Sequence, residues 1–166
     1  LRQDALLAVV ILTNEDDKSL NLSTTVGETT KYYRDFLDQL KPPLENGQRS
    51  WLFNFVGITS LNDTCSTGTI GGYKEPGIRL MELATFSAGR IESICDVNLG
   101  GAVSNIKSRI IQVLTDYKLS KKPLIDSIRV YVNGQLVPQD PVNGWSYLPA
   151  INTVRFNGTS VPPADA

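Results

Sequence analysis

The fold is decided by the stretch Ala5-Leu6-Leu7-Ala8-Val9-Val10-Ile11-Leu12, which runs directly into Thr13-Asn14-Glu15-Asp16-Asp17-Lys18-Ser19. A strand with one solvent-facing side alternates apolar and polar residues, but positions 5–12 contain no polar residue. This pattern predicts a strand that is buried on both faces, as at the centre of a parallel α/β sheet. A single turn of buried helix is the alternative, and the shortness of the run disfavours it.

The acidic segment lies at the carboxyl end of this predicted strand. Open α/β sheets bind their ligands in the crevice beyond the carboxyl ends of the strands. Asp16 and Asp17 are therefore candidate functional residues. The alternative is that both belong to a solvated acidic loop that caps the next segment.

Length, composition and net charge indicate a globular protein and give no sign of nucleic acid or membrane as a partner. A chain of 166 residues accommodates one domain, or one domain and a small appendage, and 41% apolar with 20% charged residues is typical of a globular protein. A net charge of -1 gives no electrostatic reason to expect binding to nucleic acid or to an anionic membrane. No apolar run approaches the roughly 20 residues that span a bilayer, and no signal peptide is visible, so we expect a mature or trimmed chain.

Enzymatic chemistry is disfavoured by the residues that the chain lacks. Histidine is absent, which removes the commonest general base and the commonest transition-metal ligand. The chain also lacks a Gly-x-Ser-x-Gly sequence, and its Gly68-Thr69-Ile70-Gly71-Gly72 segment has no Lys-Ser/Thr to meet phosphates. We therefore expect a protein that is not an enzyme.

Two cysteines, Cys65 and Cys95, stand far apart rather than in a C-x-x-C pair. This spacing argues against a metal cluster or a dithiol redox motif. A single disulfide is the favoured interpretation, and two unpaired buried thiols remain the alternative.

Helical and strand patterns alternate over the first two thirds of the chain. Amphipathic spacing predicts a helix that ends before Pro42-Pro43, a second helix that begins near Pro76 with Gly89 as its cap, and a third over 101–114. Strands are predicted over 51–58 and 90–95. The inward residues expected of the three helices are Tyr33, Phe36, Leu37 and Leu40, then Leu80, Leu83 and Ala84, then Val103, Ile106, Ile110 and Val113.

Past Tyr117 the apolar period changes from helical to alternating. Asn133-Gly134 between two short apolar runs is a strong hairpin signal, and further short strands are predicted at 145–147 and 153–156. We therefore predict an α/β domain over 1–117 and a small antiparallel β unit over 118–166. Its own apolar cluster is expected to contain Tyr131, Trp145 and Phe156.

The order of these segments resembles a known family. It runs through the apolar strand that ends in Leu12-Thr13-Asn14-Glu15-Asp16-Asp17-Lys18-Ser19, then 53–57, then Gly77-Ile78-Arg79-Leu80-Met81-Glu82-Leu83-Ala84, then Ser93-Ile94-Cys95-Asp96. This order resembles the carboxyl half of a von Willebrand factor type A domain, particularly its exported bacterial members. Residues 127–134 with 144–157 look like the small β unit that follows the domain in such proteins.

The resemblance implies a doubly wound, mostly parallel sheet with a metal-ion-dependent adhesion site at its carboxyl end. A divalent cation, Mg²⁺ or Ca²⁺, would there be held by oxygens at Asn14, Asp16 and Asp17, which suits a chain without histidine. Asn14 stands where the family has an aspartate. The resemblance also implies that Cys65 and Cys95 form a disulfide.

The expected function is that of an exported adhesion module, periplasmic or at the cell surface, that binds a protein ligand through the cation. The alternative is a degenerate scaffold that binds no metal. In the family's strand order the 5–12 strand is central, with Leu6, Ala8, Val10 and Leu12 on one face and Leu7, Val9 and Ile11 on the other. Its second edge has no candidate strand in this chain, so we expect a partner to fill it: the domain's amino half on a separate or cleaved chain, or a second copy.

Overall fold

A computed structural model of the chain describes residues 5–19, 26–43, 49–63 and 75–162. The described chain is mixed α/β. In order, its elements are β1 (Leu7–Leu12), α1 (Val26–Leu40), β2 (Trp51–Gly57), α2 (Ile78–Phe86), β3 (Ile91–Ser93), α3 (Leu99–Thr115), β4 (Asp116–Lys118), β5 (Val130–Val132), β6 (Gln135–Val137), β7 (Trp145–Leu148) and β8 (Thr153–Phe156). Two short 3-10 turns lie at Ile125–Ser127 and Gly158–Ser160.

Two compact units divide the described chain, one over Leu6–Ile110 and the other from Ile111 onward together with Ala5. The division falls within α3, whereas the sequence pattern places a boundary at residue 117. No helix in the described ranges is both long enough and apolar enough to cross a membrane.

The first unit is built on a parallel sheet of three strands in the order β1-β2-β3. The ladder between β1 and β2 runs from Leu7 opposite Trp51 to Leu12 opposite Val56. This arrangement confirms the predicted β-α-β connections and the parallel sheet. The strand that is buried at every position is β2, so β2 takes the central place that the sequence pattern assigns to β1.

Both α1 and α2 cover the same face of the sheet. The cluster on that face is centred on buried aromatic residues of β2, and β1 contributes Leu7, Val9 and Ile11 to it. From the helices come Tyr33, Leu37, Leu80, Met81, Leu83 and Ala84. Phe36 does not follow the prediction, because its side chain is 54% exposed.

The prediction that β1 is buried on both faces is wrong for the chain by itself. Burial along β1 alternates, with Val10 49% and Leu12 66% exposed on the face opposite the helices. The composition of the strand suits a central position, but the described chain supplies strands on only one side of it. β1 is consequently an edge strand with one covered face.

The end of α2 differs from the prediction in the residue that turns the chain. Ala88, not Gly89, adopts the left-handed conformation, with a φ of 55°. The Ala88 N–H donates to Thr85 O at 3.0 Å and the Gly89 N–H to Ala84 O at 2.8 Å, the pattern of a Schellman cap. Glycine is required at position 89 for space, since a Cβ there would overlap the Phe53 carbonyl.

The predicted inward face of α3 is partly wrong. Ile106 is buried as expected and Ala102 is buried beside it, whereas Val103 is 66% exposed. Arg109 on the same helix donates from Nε to the carbonyl of Ala88 at 2.7 Å. The inward stripe of α3 therefore begins at Ala102 rather than at Val103, and Ile106 keeps its predicted place.

The second unit contains two small antiparallel sheets, in the orders β4-β8-β7 and β5-β6. Asn133 and Gly134 turn the β5–β6 hairpin with φ values of 48° and 78°, as the Asn-Gly signal predicts. Trp145, Val154 and Phe156 form the buried cluster of this unit. Tyr131 was expected there but is 60% exposed, since it points to the outer face of β5.

Candidate functional site

The loop after β1 begins with a tight turn. The Thr13 hydroxyl accepts a hydrogen bond from the Glu15 N–H at 3.1 Å and donates to the Glu15 carbonyl at 3.2 Å. Asn14, the first residue of the predicted metal set, lies exposed at this turn. The turn directs the chain toward the helix side of the sheet, where Asp16 and Asp17 find their partners.

Asp16 is a buried structural carboxylate. Its Oδ1 accepts the backbone N–H of Arg79 at 3.0 Å, and its Oδ2 lies 2.9 Å from Arg79 Nη1. The Asp16 side chain is 7% exposed. Because α2 has no side-chain cap of its own at Gly77, Asp16 supplies the negative charge that a helix N-terminus favours.

Asp17 ties the same loop to α1. Its Oδ1 accepts hydrogen bonds from the N–H and the hydroxyl of Ser19, at 3.1 and 2.6 Å, and its Oδ2 accepts the Tyr33 hydroxyl at 2.8 Å. Burial raises the pKa of Asp17, but these hydrogen bonds outweigh burial and hold the pKa below its ordinary value. Burial and the neighbouring Asp17 carboxylate raise the pKa of Tyr33.

A third carboxylate organises the end of β2. Asp63 Oδ2 accepts the N–H and hydroxyl of Thr59, at 2.7 and 3.0 Å, and the Ser60 N–H at 3.1 Å. The Ser93 hydroxyl, at the end of β3, donates to the same oxygen at 3.3 Å. Burial raises the pKa of Asp63. The hydrogen bonds from Thr59, Ser60 and Ser93 together lower the pKa by more than burial raises it, so the net shift is downward. Asp63 thus joins the carboxyl ends of β2 and β3.

The predicted metal set does not by itself make a cation site. Asp16 faces the Arg79 guanidinium, a competing positive charge, and both oxygens of Asp17 accept hydrogen bonds from Ser19 and Tyr33. Asn14 offers a neutral carbonyl oxygen. Among the described residues no group of three or more Asp, Glu, His or Cys is placed to hold a metal ion. The geometry therefore does not fit a divalent cation held by Asn14, Asp16 and Asp17 alone.

Cys95 follows the end of β3 and is disulfide-bonded. Cys65 is the other cysteine of the chain and lies outside the described residues. The pairing of the two stays a prediction.

A cavity of about 420 Å³ lies between the helices and the helix-facing side of β1. Its apolar lining includes Val9, Ile11, Phe53, Leu80 and Leu83. Its polar lining comes from the loop after β1 and from Tyr33, so one end of the cavity is acidic. The cavity and the acidic loop form one continuous feature at the carboxyl end of β1.

The side of β1 away from β2 has backbone groups that no described strand pairs. Leu7 N–H donates to Ser50 O at 3.0 Å and Thr13 N–H donates to Val56 O at 3.1 Å, which fixes the phase of the ladder with β2. Alternate residues of a parallel strand direct their backbone groups to the same neighbour, so those of Ala8, Val10 and Leu12 point away from β2. No strand in the described ranges pairs with them. We call these backbone groups, with the exposed side chains of the same three residues, the open edge.

A buried amide on β2 braces this edge strand. Asn54 is fully buried in an otherwise apolar strand, and its Nδ2 donates to the Val9 carbonyl at 3.2 Å. Its Oδ1 accepts the Arg90 N–H at 3.0 Å, ahead of β3. Asn54 thus links all three strands, so β1 is held firmly although one edge is open.

The partners of the carboxylates were not predicted from the sequence. Arg79 and Tyr33 were assigned to amphipathic helices, and a residue that is helical by pattern gives no sign of a distant polar partner. The position of Asp16 and Asp17 after an apolar strand was the available signal, and the structure places both residues in the loop at the carboxyl end of β1.

The fold and the site define a mixed α/β protein with a parallel sheet and carboxylates at the ends of its strands. No protein-family model matches the chain, and comparisons with curated proteins and with solved structures found no match.

Proposed function

We propose that this chain is a protein-binding module, similar to the carboxyl half of a type A domain, that receives a strand of another polypeptide at its open edge. The observation that carries the proposal is the open edge itself. Six consecutive apolar residues form β1. No described strand pairs with the backbone groups of Ala8, Val10 and Leu12, and the side chains of these residues are exposed, Val10 to 49% and Leu12 to 66%.

Energetics support a partner at this position. A long apolar edge strand is an aggregation hazard that natural proteins cover or interrupt with charge. β1 carries neither a charged residue nor a proline. The occupant is a polypeptide strand, since only extended backbone satisfies a row of alternating N–H and C=O groups.

Two sources of that strand are proposed. One is the amino half of the same type of domain, on a separate or cleaved chain, and the other is a second copy of this chain. The type A domains that this chain resembles carry the first motif of their cation site, Asp-x-Ser-x-Ser, at the end of the first strand. The amino half is preferred, because it would bring the oxygen ligands of that motif toward Asn14. Completion of the sheet and completion of a Mg²⁺ or Ca²⁺ site would then be a single event.

The scaffold alternative is favoured by a separate observation. Asp16 and Asp17 are both engaged in contacts that hold α2 and α1 in place, which is a structural task. A scaffold would bind its partner without a cation. Calorimetry with magnesium and calcium on the assembly separates the two versions, because a scaffold gives no heat of binding.

An exported location suits the chemistry of Cys95. Disulfides persist in oxidising compartments such as the periplasm and the cell surface, and Cys95 is disulfide-bonded. Mass spectrometry of the unreduced protein from its native source tests this part of the proposal. Two free thiols would contradict both the export and the pairing of Cys65 with Cys95.

The experiment for the binding function is a purification from the native source with edge variants. Val10→Lys places a charge on the open edge, and Val103→Lys is the matched control because Val103 is an equally apolar residue, 66% exposed on α3. The wild type and Val103→Lys should retain a polypeptide that carries an Asp-x-Ser-x-Ser strand, and Val10→Lys should lose it. Equal retention by both variants would contradict the proposal.

A further inference from the structure

We propose that the cavity beside the acidic loop is a binding site for a small amphiphilic cation, a molecule with an apolar chain and an amine or guanidinium head. This site is separate from the open edge. Val9 and Ile11 line the cavity, whereas Ala8, Val10 and Leu12 form the open edge on the same strand. A ligand can therefore occupy the cavity whether or not a partner strand is bound.

The size and lining of the cavity suit an apolar chain. Its volume of about 420 Å³ is within the range of small-molecule sites. Side chains from β1, β2 and α2 form its apolar walls, among them Val9, Phe53 and Leu80. Val9, Ile11 and Leu80 are only partly buried, although each packs against the core cluster. An apolar chain in the cavity would complete their burial.

The polar end of the cavity selects a positive charge. Glu15, Asp16 and Asp17 line it, and Arg79 offsets the charge of Asp16 through an ion pair of 2.9 Å. The groups that donate to Asp17 are the neutral hydroxyls of Tyr33 and Ser19 and the Ser19 N–H, and the Arg79 guanidinium attracts Asp17 from a greater distance, so one positive charge is shared by two carboxylates. Glu15 is exposed at the same end. The mouth of the cavity consequently carries net negative charge.

The carboxylate of Asp17 is also held in a fixed position at the acidic end of the cavity. Its hydrogen bonds from Ser19 and from the Tyr33 hydroxyl fix its position. Asp17 Oδ1 accepts two bonds but Oδ2 accepts one, so Oδ2 retains a lone pair for an ammonium group and the existing contacts need not break. Charge-assisted bonds of this kind are stronger than those to a neutral alcohol.

The test is a methyl NMR titration of the full chain with three probes of equal chain length: octylammonium, octanol and octanoate. Octylammonium should shift the methyl resonances of Val9, Ile11 and Leu80 in a saturable way. Octanol should bind about tenfold more weakly, since it keeps the apolar chain but loses the charge. Octanoate should not bind.

Two pairs of variants locate the site. Ile11→Phe fills the cavity and should abolish binding, whereas Val10→Phe adds the same ring on the opposite face of β1 and should not. Glu15→Gln should weaken octylammonium by about threefold and leave octanol unchanged. Asp126→Asn removes an exposed charge from the second unit and should change neither affinity.

Three results would overturn the proposal. One is the absence of saturable methyl shifts with octylammonium, and the second is equal affinity for octylammonium and octanol. The third is binding that Ile11→Phe leaves intact in a protein whose spectrum remains folded. None of these results bears on the open edge, so failure here is distinguishable from failure of the protein-binding function.

Discussion

Asp16 and Arg79 lie 63 positions apart in the chain, yet the Asp16 carboxylate accepts hydrogen bonds from both the backbone N–H and the guanidinium of Arg79. The contact joins the carboxyl end of β1 to the first turn of α2. It explains why an acidic pair follows directly after the apolar strand: the first carboxylate holds α2 and the second holds α1. The acidic loop therefore holds both helices to the end of β1, and it also lines one end of the cavity.

Asp16→Ala should lower the free energy of unfolding by about 2–3 kcal/mol, because it leaves the Arg79 guanidinium and a helix N–H without this partner. Urea denaturation measures the change. In the double variant with Arg79→Ala the loss should be little greater than in Asp16→Ala alone, since both substitutions remove one interaction. Strictly additive losses would show that the two residues act independently.

The Asp17 and Tyr33 pair predicts a pH dependence. A carboxyl whose pKa is lower in the folded state than in the unfolded state stabilises the fold above the unfolded value, which is about 3.9. That contribution is lost as the pH falls through the lower, folded pKa. The stability difference between wild type and Asp17→Asn should therefore be full at neutral pH and should shrink in acid below about pH 4.

Tyr33→Phe tests the same contact from the other side. Removal of the hydroxyl that donates to Asp17 Oδ2 should cost about 1 kcal/mol at neutral pH. Tyr32→Phe is the matched control, because Tyr32 is the neighbouring tyrosine and is 58% exposed. A loss in Tyr32→Phe as large as in Tyr33→Phe would contradict the assignment.

The position of the acidic loop at the carboxyl end of β1 followed from the sequence, whereas the contacts of its carboxylates did not. A run of eight apolar residues and the acidic segment after it were enough to place a parallel strand and a polar carboxyl end. Contacts such as Asp17 with Tyr33, or Asp63 with Ser93, join residues that different elements bring together. Local periodicity carries no information about them.

The wrong predictions have a common physical origin. Apolar residues were assigned to buried positions, but Val10, Val103 and Tyr131 are 49%, 66% and 60% exposed, because each lies on a face of its strand or helix that the described elements leave open. The sequence shows which side chains are apolar enough to be buried, but the arrangement of the strands and helices determines which of them are covered. The strand β4 was missed for a related reason, since three residues that continue directly from a helix give no alternating pattern.

Each unit carries one tryptophan, which allows the units to be followed separately. Trp51 is buried in the first unit and Trp145 in the second. Deletion of the chain from Ser120 onward should retain the helical circular dichroism signal and a buried Trp51 emission, since α1 to α3 all precede the deletion. Loss of both signals would mean that the two units depend on one core.

An ion pair joins two strands of the second unit. Arg155 on β8 meets Asp116 on β4 through two bonds, Nε to Oδ1 at 2.6 Å and Nη2 to Oδ2 at 2.8 Å. Arg155→Lys keeps the charge but loses the paired geometry, so it should cost about 1 kcal/mol. Arg129→Lys, which changes an exposed arginine of the same unit, should leave stability unchanged when both are measured by Trp145 fluorescence.

Amide hydrogen exchange along β1 tests the central claim, that the open edge awaits a partner strand, most directly. In the chain alone, Val9 and Ile11 should be protected by their bonds to β2, while Ala8, Val10 and Leu12 should exchange near the rate of unfolded chain. In the assembly, Val10 should become as slow as Val9. Slow exchange of Val10 in the chain alone, or fast exchange of Val10 in the assembly, would contradict the account.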